Sequence, residues 1–359
     1  MKRTTMTQTG GRWSSIWAKG VAKVAVVVAM VAASAAVSCK REGGSEKAMA
    51  EGSKAPLRIA VVPKGTTHDF WKSVEAGALA AGKEVEGVNV TFRGPEKEDD
   101  REQQIALMQN LISSKVDGIV LAPLDSKALV GPVMQAKAAG IPVVIIDSAL
   151  EAKAGTDFAA FVATDNYQGG MMGGARLAEV MGGKGSVLLL RYLEGSASTR
   201  EREQGFLDAV AKVPGIRVID PGRFGGPTRA TAQEAAEALL AANPDVGGVF
   251  CCNEPTTFGM LLALKSRAGS EGIRFVGFDA SDAAVEGLTN GRVQGLVLQN
   301  PYRMGEAGVQ AVLDTIAGRP VEASIDTGVL MITPENIGEA ASRAALGALA
   351  PKESGAAPK

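Results

Sequence analysis

Histidine is nearly missing from this chain: His68 is the only one in 359 residues. A histidine metal cluster, a Ser-His-Asp triad or a Cys-His pair would have to be built around that single ring. Cysteine is almost as scarce. Cys39 and the adjacent Cys251 and Cys252 are the whole supply, which excludes a disulfide framework and offers no zinc spacing. Neither sign of charge dominates: the formal net charge is −1. No basic excess points to nucleic acid, and no acidic run points to a strongly charged partner. The GxSxG, HExxH and GxxxxGK(S/T) patterns of hydrolases, zinc proteases and nucleotide-binding loops do not occur. The composition therefore offers no enzyme signature, no metal and no cofactor.

What is present begins at the amino terminus. Lys2, Arg3, Arg12, Lys19 and Lys23 make a basic start, and no acidic residue occurs before Glu42. Residues 24–37 are Val, Ala and Met interrupted only by Ser34, ending at Ser38 and Cys39. That run is too short for a bilayer, which needs about 20 apolar residues. A basic start, a short apolar stretch and small residues before a cut are the marks of an export signal, here residues 1–38. The small residues before Cys39 resemble a bacterial lipobox, although Ala36 stands where Leu is usual. In that reading Cys39 is lipidated and anchors the protein to a membrane. The alternative is a cut nearby, with Cys39 incidental. Residues 39–56 are rich in Glu, Lys, Gly and Ser and read as a tether. Residues 346–359 read as a flexible tail.

Nearly 300 residues lie between tether and tail, too many for one small core, so two domains are expected. Short β-branched runs alternate with longer Ala/Leu-rich segments. Strands are expected at 58–62, 89–92, 118–122 and 143–146, with helices at 71–84, 101–115 and 127–139. The pattern restarts after a strand at 161–163. Helices follow at 168–181, 200–212, 231–241 and 257–267, alternating with strands at 186–190, 217–219, 248–250 and 274–277. Continuous apolar strands between helices mean parallel sheets covered on both faces. The fold class is α/β, with two doubly wound parallel-sheet domains.

Lys64, Asp125, Asp147, Asn253 and Asp279 each fall at or just beyond the carboxyl end of an expected strand. In open α/β sheets that edge binds ligands. Asp and Asn there also cap the following helix. The capping role suits Asp125, which precedes Ser126 and a helix. The ligand role suits Asp147 and Asp279, which follow apolar runs. Cys251-Cys252 reads as a pair of buried thiols, a vicinal disulfide being the alternative. The run 169–174, Gly-Gly-Met-Met-Gly-Gly, lacks the spacing of a phosphate loop and suits close helix packing.

A family resemblance rests on an ordered set of short motifs. Ile59-Ala60-Val61-Val62-Pro63-Lys64 is followed by His68-Asp69-Phe70-Trp71 and Gly77-Ala78. Asp117-Gly118-Ile119, Ala139-Gly140-Ile141-Pro142-Val143 and Asp147 come next. Thr164-Asp165-Asn166 precedes Gly169-Gly170, and Arg200-Glu201-Arg202 precedes Gly205-Phe206. Asn253-Glu254, Gly277-Phe278-Asp279 and Gln299-Asn300-Pro301 complete the set. Together they resemble the ribose-type, type I periplasmic binding proteins, the substrate-binding components of sugar ABC transporters. The resemblance runs from Leu57 to Pro334.

It implies two lobes joined by a three-strand hinge that close over a sugar. The crossings would fall near Thr164–Asp165, near Gln299 and near Asp326–Thr327. One lobe would comprise 57–164 and 300–326, the other 165–299 and 327–345. It implies a non-enzyme without a cofactor, exported to the periplasm or cell surface. Its partners would be a monosaccharide-like ligand and ABC permease subunits, not nucleic acid, and it would act as a monomer. By position, Phe70 and Trp71 match the ring-stacking pair and Phe224 the second lobe's aromatic. Asp147 and Asp279 match the carboxylates that accept hydroxyls. Arg200, Asn253 and Gln299 match the arginine and amides of the second lobe and hinge. On residues alone, Arg200 reads equally as a surface residue beside Glu201 and Glu203.

The chain departs from the ribose-type pattern where ligand identity is set. Ser148 stands where arginine is usual after the aspartate, Ala122 where Asn is usual, and Lys64 and His68 where Ser and Asn are usual. Lys64 is expected to replace the missing guanidinium. His68 reads as a hydrogen-bond donor near the pocket or as a solvated loop residue. These departures count against ribose itself. They leave open another pentose, a hexose, a polyol, an anionic derivative or a furanosyl signalling molecule, and with the last a receptor for signalling or chemotaxis rather than uptake. The alternative to a receptor is a sugar-acting α/β enzyme using the strand-end carboxylates for acid-base work.

Overall fold

The computed structural model describes residues 55–349. The export signal, Cys39, nearly all of the tether and the end of the tail lie outside the described residues.

The chain opens with β1 (Leu57–Val62), α1 (Asp69–Lys83), β2 (Val88–Phe92), α2 (Arg101–Ser113), β3 (Gly118–Leu121), α3 (Val130–Ala138), β4 (Val143–Ile146) and β5 (Ala160–Ala163). It continues through α4 (Asn166–Val180), β6 (Gly185–Leu190), α5 (Ala197–Val210), β7 (Ile216–Ile219), α6 (Arg229–Ala242), β8 (Gly248–Cys251) and α7 (Glu254–Ser266). After a short 3-10 turn come β9 (Arg274–Phe278), α8 (Asp282–Thr289), β10 (Gly295–Gln299) and α9 (Pro301–Ile316). The last elements are β11 (Ser324–Asp326), β12 (Val329–Ile332) and α10 (Ala340–Leu349).

Two six-stranded sheets result, ordered β11-β5-β4-β3-β1-β2 and β12-β10-β9-β8-β6-β7. The first is wholly parallel. The second is parallel except for β12, which runs antiparallel to β10. The central strands β3, β4 and β8 are buried along their whole length, as strands covered on both faces must be. Each sheet has a core on either face. In the first, Trp71, Val74 and Val309 of α1 and α9 cover one side, and Met108, Leu129 and Val133 cover the other. In the second, Leu177 and Phe206 of α4 and α5 lie on one side, and Leu239, Met260 and Leu288 on the other.

The chain passes between the sheets three times: after β5, after β10 and between β11 and β12. The two sheets repeat one plan, so β1, β3, β4 and β5 correspond to β6, β8, β9 and β10. The helix pairs correspond as well: α1 lies on α9 as α5 lies on α4. Both pairs meet at glycines. A Cβ on Gly77 would lie 1.9 Å from the Tyr302 carbonyl oxygen, and one on Gly305 2.0 Å from that of Val74. A Cβ on Gly205 would lie 2.1 Å from the Tyr167 carbonyl oxygen, and one on Gly170 2.0 Å from that of Arg202. Within the run 169–174, Gly169 and Gly173 face the Phe278 and Phe250 rings of the sheet, while Gly170 and Gly174 face α5.

Five helices begin two or three residues earlier than their apolar pattern indicates: α1, α4, α5, α6 and α7. Three of these starts are held by side-chain caps. Asp165, Thr228 and Asn253 accept from the backbone N–H groups of Gln168, Thr231 and Thr256. Asp125 accepts from the N–H groups of Lys127 and Ala128, so it organises the turn leading to α3. Cys251 and Cys252 are buried free thiols. No helix among the described residues is long and apolar enough to cross a membrane.

Candidate functional site

The carboxyl ends of both sheets face one cavity of about 30 Å³, room for only a water or two at about 10–15 Å³ each, so its polar walls stand almost in contact. The repeated plan places equivalent residues across it. Lys64 follows β1 as Tyr192 follows β6. Asp147 and Asp279 directly follow β4 and β9. Both aspartates adopt left-handed backbone, with φ of 62° and 63°, a conformation that non-glycine residues adopt at a cost of about 1–3 kcal/mol and that clusters at binding sites. Both are held in it the same way. The Asp147 N–H donates to the Val162 carbonyl at 3.1 Å, and the Asp279 N–H to the Val297 carbonyl at 2.8 Å. A tight turn at each strand end thus presents a carboxylate to the cavity.

Eight of the ten expected ligand residues line this cavity: Lys64, His68, Phe70, Trp71, Asp147, Asn253, Asp279 and Gln299. Arg200 and Phe224 do not. Arg200 is exposed on α5. Side chains two apart on a helix point about 200° apart, and the buried face of α5 runs through Ser198, Arg202, Phe206 and Ala209. Arg202 therefore takes the place assigned to Arg200. It is buried, donating from Nε to Asn166 Oδ1 at 2.8 Å, from Nη1 to the Cys252 carbonyl at 3.1 Å and from Nη2 to Gln299 Oε1 at 2.7 Å. Its guanidinium also stacks 4.1 Å from the Phe278 ring centroid. Phe224 is 43% exposed because its segment pairs with Arg191 outside the cavity. Tyr192 supplies the second lobe's aromatic instead.

The polar groups form linked chains. Gln299 Nε2 donates to Asp279 Oδ1 at 2.8 Å, extending the Arg202 chain, and the Glu254 N–H donates to Asp279 Oδ2. Burial, helped by the charges of Glu254 and Asp147, pushes the Asp279 carboxyl up to about 6 against the pull of Arg202 and Gln299. Lys64 Nζ lies 2.6 Å from Asp147 Oδ2, while its directed bond runs across the cleft to Ser198 Oγ at 3.1 Å. Ser148, where the resemblance expects arginine, accepts at Oγ from the Ser198 N–H, also across the cleft. At the cavity's edge Arg229 of the second lobe reaches Glu254 and, at 3.1 Å, Asp69 of the first.

Sequence reasoning missed Glu98, Ser198, Thr199, Arg202 and Glu254, as well as Tyr192. Helical phase would have found Arg202. Glu98 gives no local signal, because it sits in a charged run, residues 96–102, that reads as solvated surface. It is buried, and it accepts from His68 Nδ1 at 2.6 Å, Trp71 Nε1 at 2.7 Å and Tyr192 Oη at 2.6 Å. Burial opposes its charge, but His68, Lys64 and Tyr192 bring its carboxyl down to about 2. Burial likewise opposes charge on His68, and the Glu98 bond outweighs it, so the His68 pKa rises.

Among the described residues two buried side-chain oxygens, Glu254 Oε2 and Ser196 Oγ, have no hydrogen-bond partner, and Asp147 Oδ2 has only its ion pair with Lys64. The two carboxylates line the cavity. Among the described residues no cluster of three or more His, Cys, Asp or Glu could hold a metal ion.

A family model described as a periplasmic binding protein domain matches residues 59–320. The chain belongs to the periplasmic binding protein family. A D-allose-binding periplasmic protein of Escherichia coli is 29% identical over 72% of this chain and 85% of its own length. The ribose import binding protein of the same organism is 28% identical over 87% and 99%. Among solved structures, an ABC transporter solute-binding protein from Agrobacterium vitis with bound D-fucose has a TM-score of 0.76. It is 36% identical, with 80% of this chain and 98% of that one covered. A carbohydrate transporter solute-binding protein from Agrobacterium radiobacter, in complex with D-arabinose, also has a TM-score of 0.76, at 34% identity and 82% and 99% coverage. Periplasmic binding proteins of this kind are receptors rather than enzymes.

Proposed function

We propose that this chain is the exported solute-capturing receptor of a sugar ABC importer, and that its ligand is an uncharged monosaccharide held between the lobes. The observation that carries the ligand class is the charge arrangement of the cavity. Each cation there already faces an acid or an amide: Lys64 faces Asp147, His68 faces Glu98, and Arg202 is tied to Asn166, Gln299 and a carbonyl. Glu254 Oε2 has no donor, and Asp147 Oδ2 is met only by the Lys64 ammonium 2.6 Å away. A ligand that supplies O–H donors satisfies them, since a buried acceptor left unpaired costs about 1–3 kcal/mol. A phosphate or carboxylate would meet those oxygens with more negative charge. This argues against the anionic derivatives that sequence alone left open.

A panel of uncharged pentoses, hexoses and polyols, with sugar acids, sugar phosphates and amino sugars, tests the reading through melting temperature. Binding to the native state alone raises stability by about 2.7 kcal/mol at a hundredfold excess over Kd. Stabilisation by one or a few uncharged sugars is expected. Preference for a phosphate or an acid would overturn the class, and so would preference for an amino sugar, which would show that the cavity's carboxylates select a cation.

The same reading has the protein act as a monomer, anchored through a lipid on Cys39. The anchor is supported by the basic start, the short apolar run and the small residues before that cysteine. Fatty-acid labelling that disappears in Cys39→Ser tests it.

A further inference from the structure

The cavity contains one polar hub that the sugar-contact pattern does not account for. Glu98 comes from the connection between β2 and α2, away from the strand ends that supply the two aspartates. Its Oε1 accepts from the His68 ring and from the Trp71 indole, both of the first lobe. Its Oε2 accepts from the Tyr192 hydroxyl, which belongs to the second lobe. A carboxylate has about four acceptor sites, and three are used on the protein itself. The backbone makes room for this arrangement: a Cβ on Gly65 would lie 2.8 Å from Glu98 Cγ. Trp71, edge-on to Phe70 with ring centroids 4.9 Å apart, thus has its indole N–H committed to Glu98 and withheld from any ligand.

We infer that Glu98 is a positioning residue for ligand capture: it fixes the Trp71 ring as a rigid face of the cavity and joins it, through Tyr192, to the opposite lobe when the cleft closes. This rests on the sugar-receptor reading for its ligand and on the observed bonds for its geometry. Three charge-assisted bonds converge on one buried carboxylate, and such bonds are about twice as strong as neutral ones. The Tyr192 hydroxyl can reach Glu98 only with the lobes together, so the bond adds to closure whatever the ligand's hydroxyl pattern. The indole, held by one bond at its edge, selects ligands by ring shape rather than by hydrogen bonding.

The test uses the full protein and two readouts. The first is the Trp71 indole N–H resonance, assigned by its loss in Trp71→Phe and needing no sugar. Glu98→Gln is expected to shift it; an unmoved resonance overturns the inference. The second is a double-mutant cycle on the dissociation constant of the sugar selected by the panel. Tyr192→Phe is expected to weaken binding about tenfold in the parent and less than about twofold in Glu98→Gln, because the two act through one bond. Additive losses overturn the inference while leaving the sugar reading intact. If the parent binds no sugar, that reading fails and the indole resonance alone decides the role of Glu98. If Glu98→Gln does not fold, Gly65→Ala replaces it: by crowding the carboxylate it must move the same resonance, and no movement overturns the inference.

Discussion

Lys64 and Asp147 set the local electrostatics of the cavity's first-lobe side. Both are buried, and their charged atoms lie 2.6 Å apart. Removing one member of a buried pair strands the other charge, which costs about 3–5 kcal/mol. Lys64→Ala is therefore expected to lower sugar affinity by at least about a hundredfold, as measured by titration calorimetry; near-unchanged affinity would show that Lys64 does not stand in for the arginine replaced by Ser148. Asp279 makes a pH prediction. Its folded pKa is raised to about 6 from 3.8, so the native state holds this proton more tightly than the unfolded chain does. The resulting stability is fully present below about pH 4 and is lost as pH rises through about 6. Ligand hydroxyls need the ionised form as an acceptor, so affinity should run the other way and fall as pH drops below about 6. A Kd measured from pH 5 to 8 should bend near 6 in the parent and lose the bend in Asp279→Asn.

At the scale of elements, the site depends on how closely α5 lies against α4. That helix carries Ser198, Thr199 and Arg202 into the cavity, and its approach is set by Gly205 over the Tyr167 carbonyl and Gly170 over that of Arg202. A methyl group at Gly205 would have to push backbone from backbone. Gly205→Ala is expected to cost about 2 kcal/mol or more, read as a lower denaturant midpoint, with sugar affinity falling alongside because Arg202 moves with its helix. An unchanged midpoint would mean that the helices separate freely. The strands, the helix order and the glycine-rich packing of α4 were legible in the sequence, because apolar runs and small residues report directly on covered sheets and close helices. Helix starts were not, since polar caps such as Thr228 and Asn253 do not belong to the apolar pattern.

For the whole molecule, the legible part of the site is the part built on strand ends. Asp147, Asn253, Asp279 and Gln299 follow β4, β8 and β9 or close β10, where the fold itself dictates that side chains meet a ligand. Glu98 was illegible because its burial is created by His68, Trp71 and Tyr192, which lie 27 to 94 residues away in sequence. Arg200 and Arg202 were separable only by helical phase, and Phe224 only by seeing which connection stays outside the cleft. The same long-range contacts tie the lobes together: Tyr192 to Glu98, Ser198 to Lys64 and Ser148, and Arg229 to Asp69. Capture is then a shift of lobe opening and closing toward the closed form by a ligand that contacts both sides. Trp71, the only tryptophan beyond Trp17, lies in the wall of the cavity proposed to take an uncharged sugar. The most direct measurement is tryptophan fluorescence during titration with the sugar that raises the melting temperature. A saturable change with the calorimetric Kd is expected, and it disappears in Trp71→Phe. A sugar that binds with that Kd and leaves the fluorescence of Trp71 unchanged would place the ligand elsewhere and contradict that expectation.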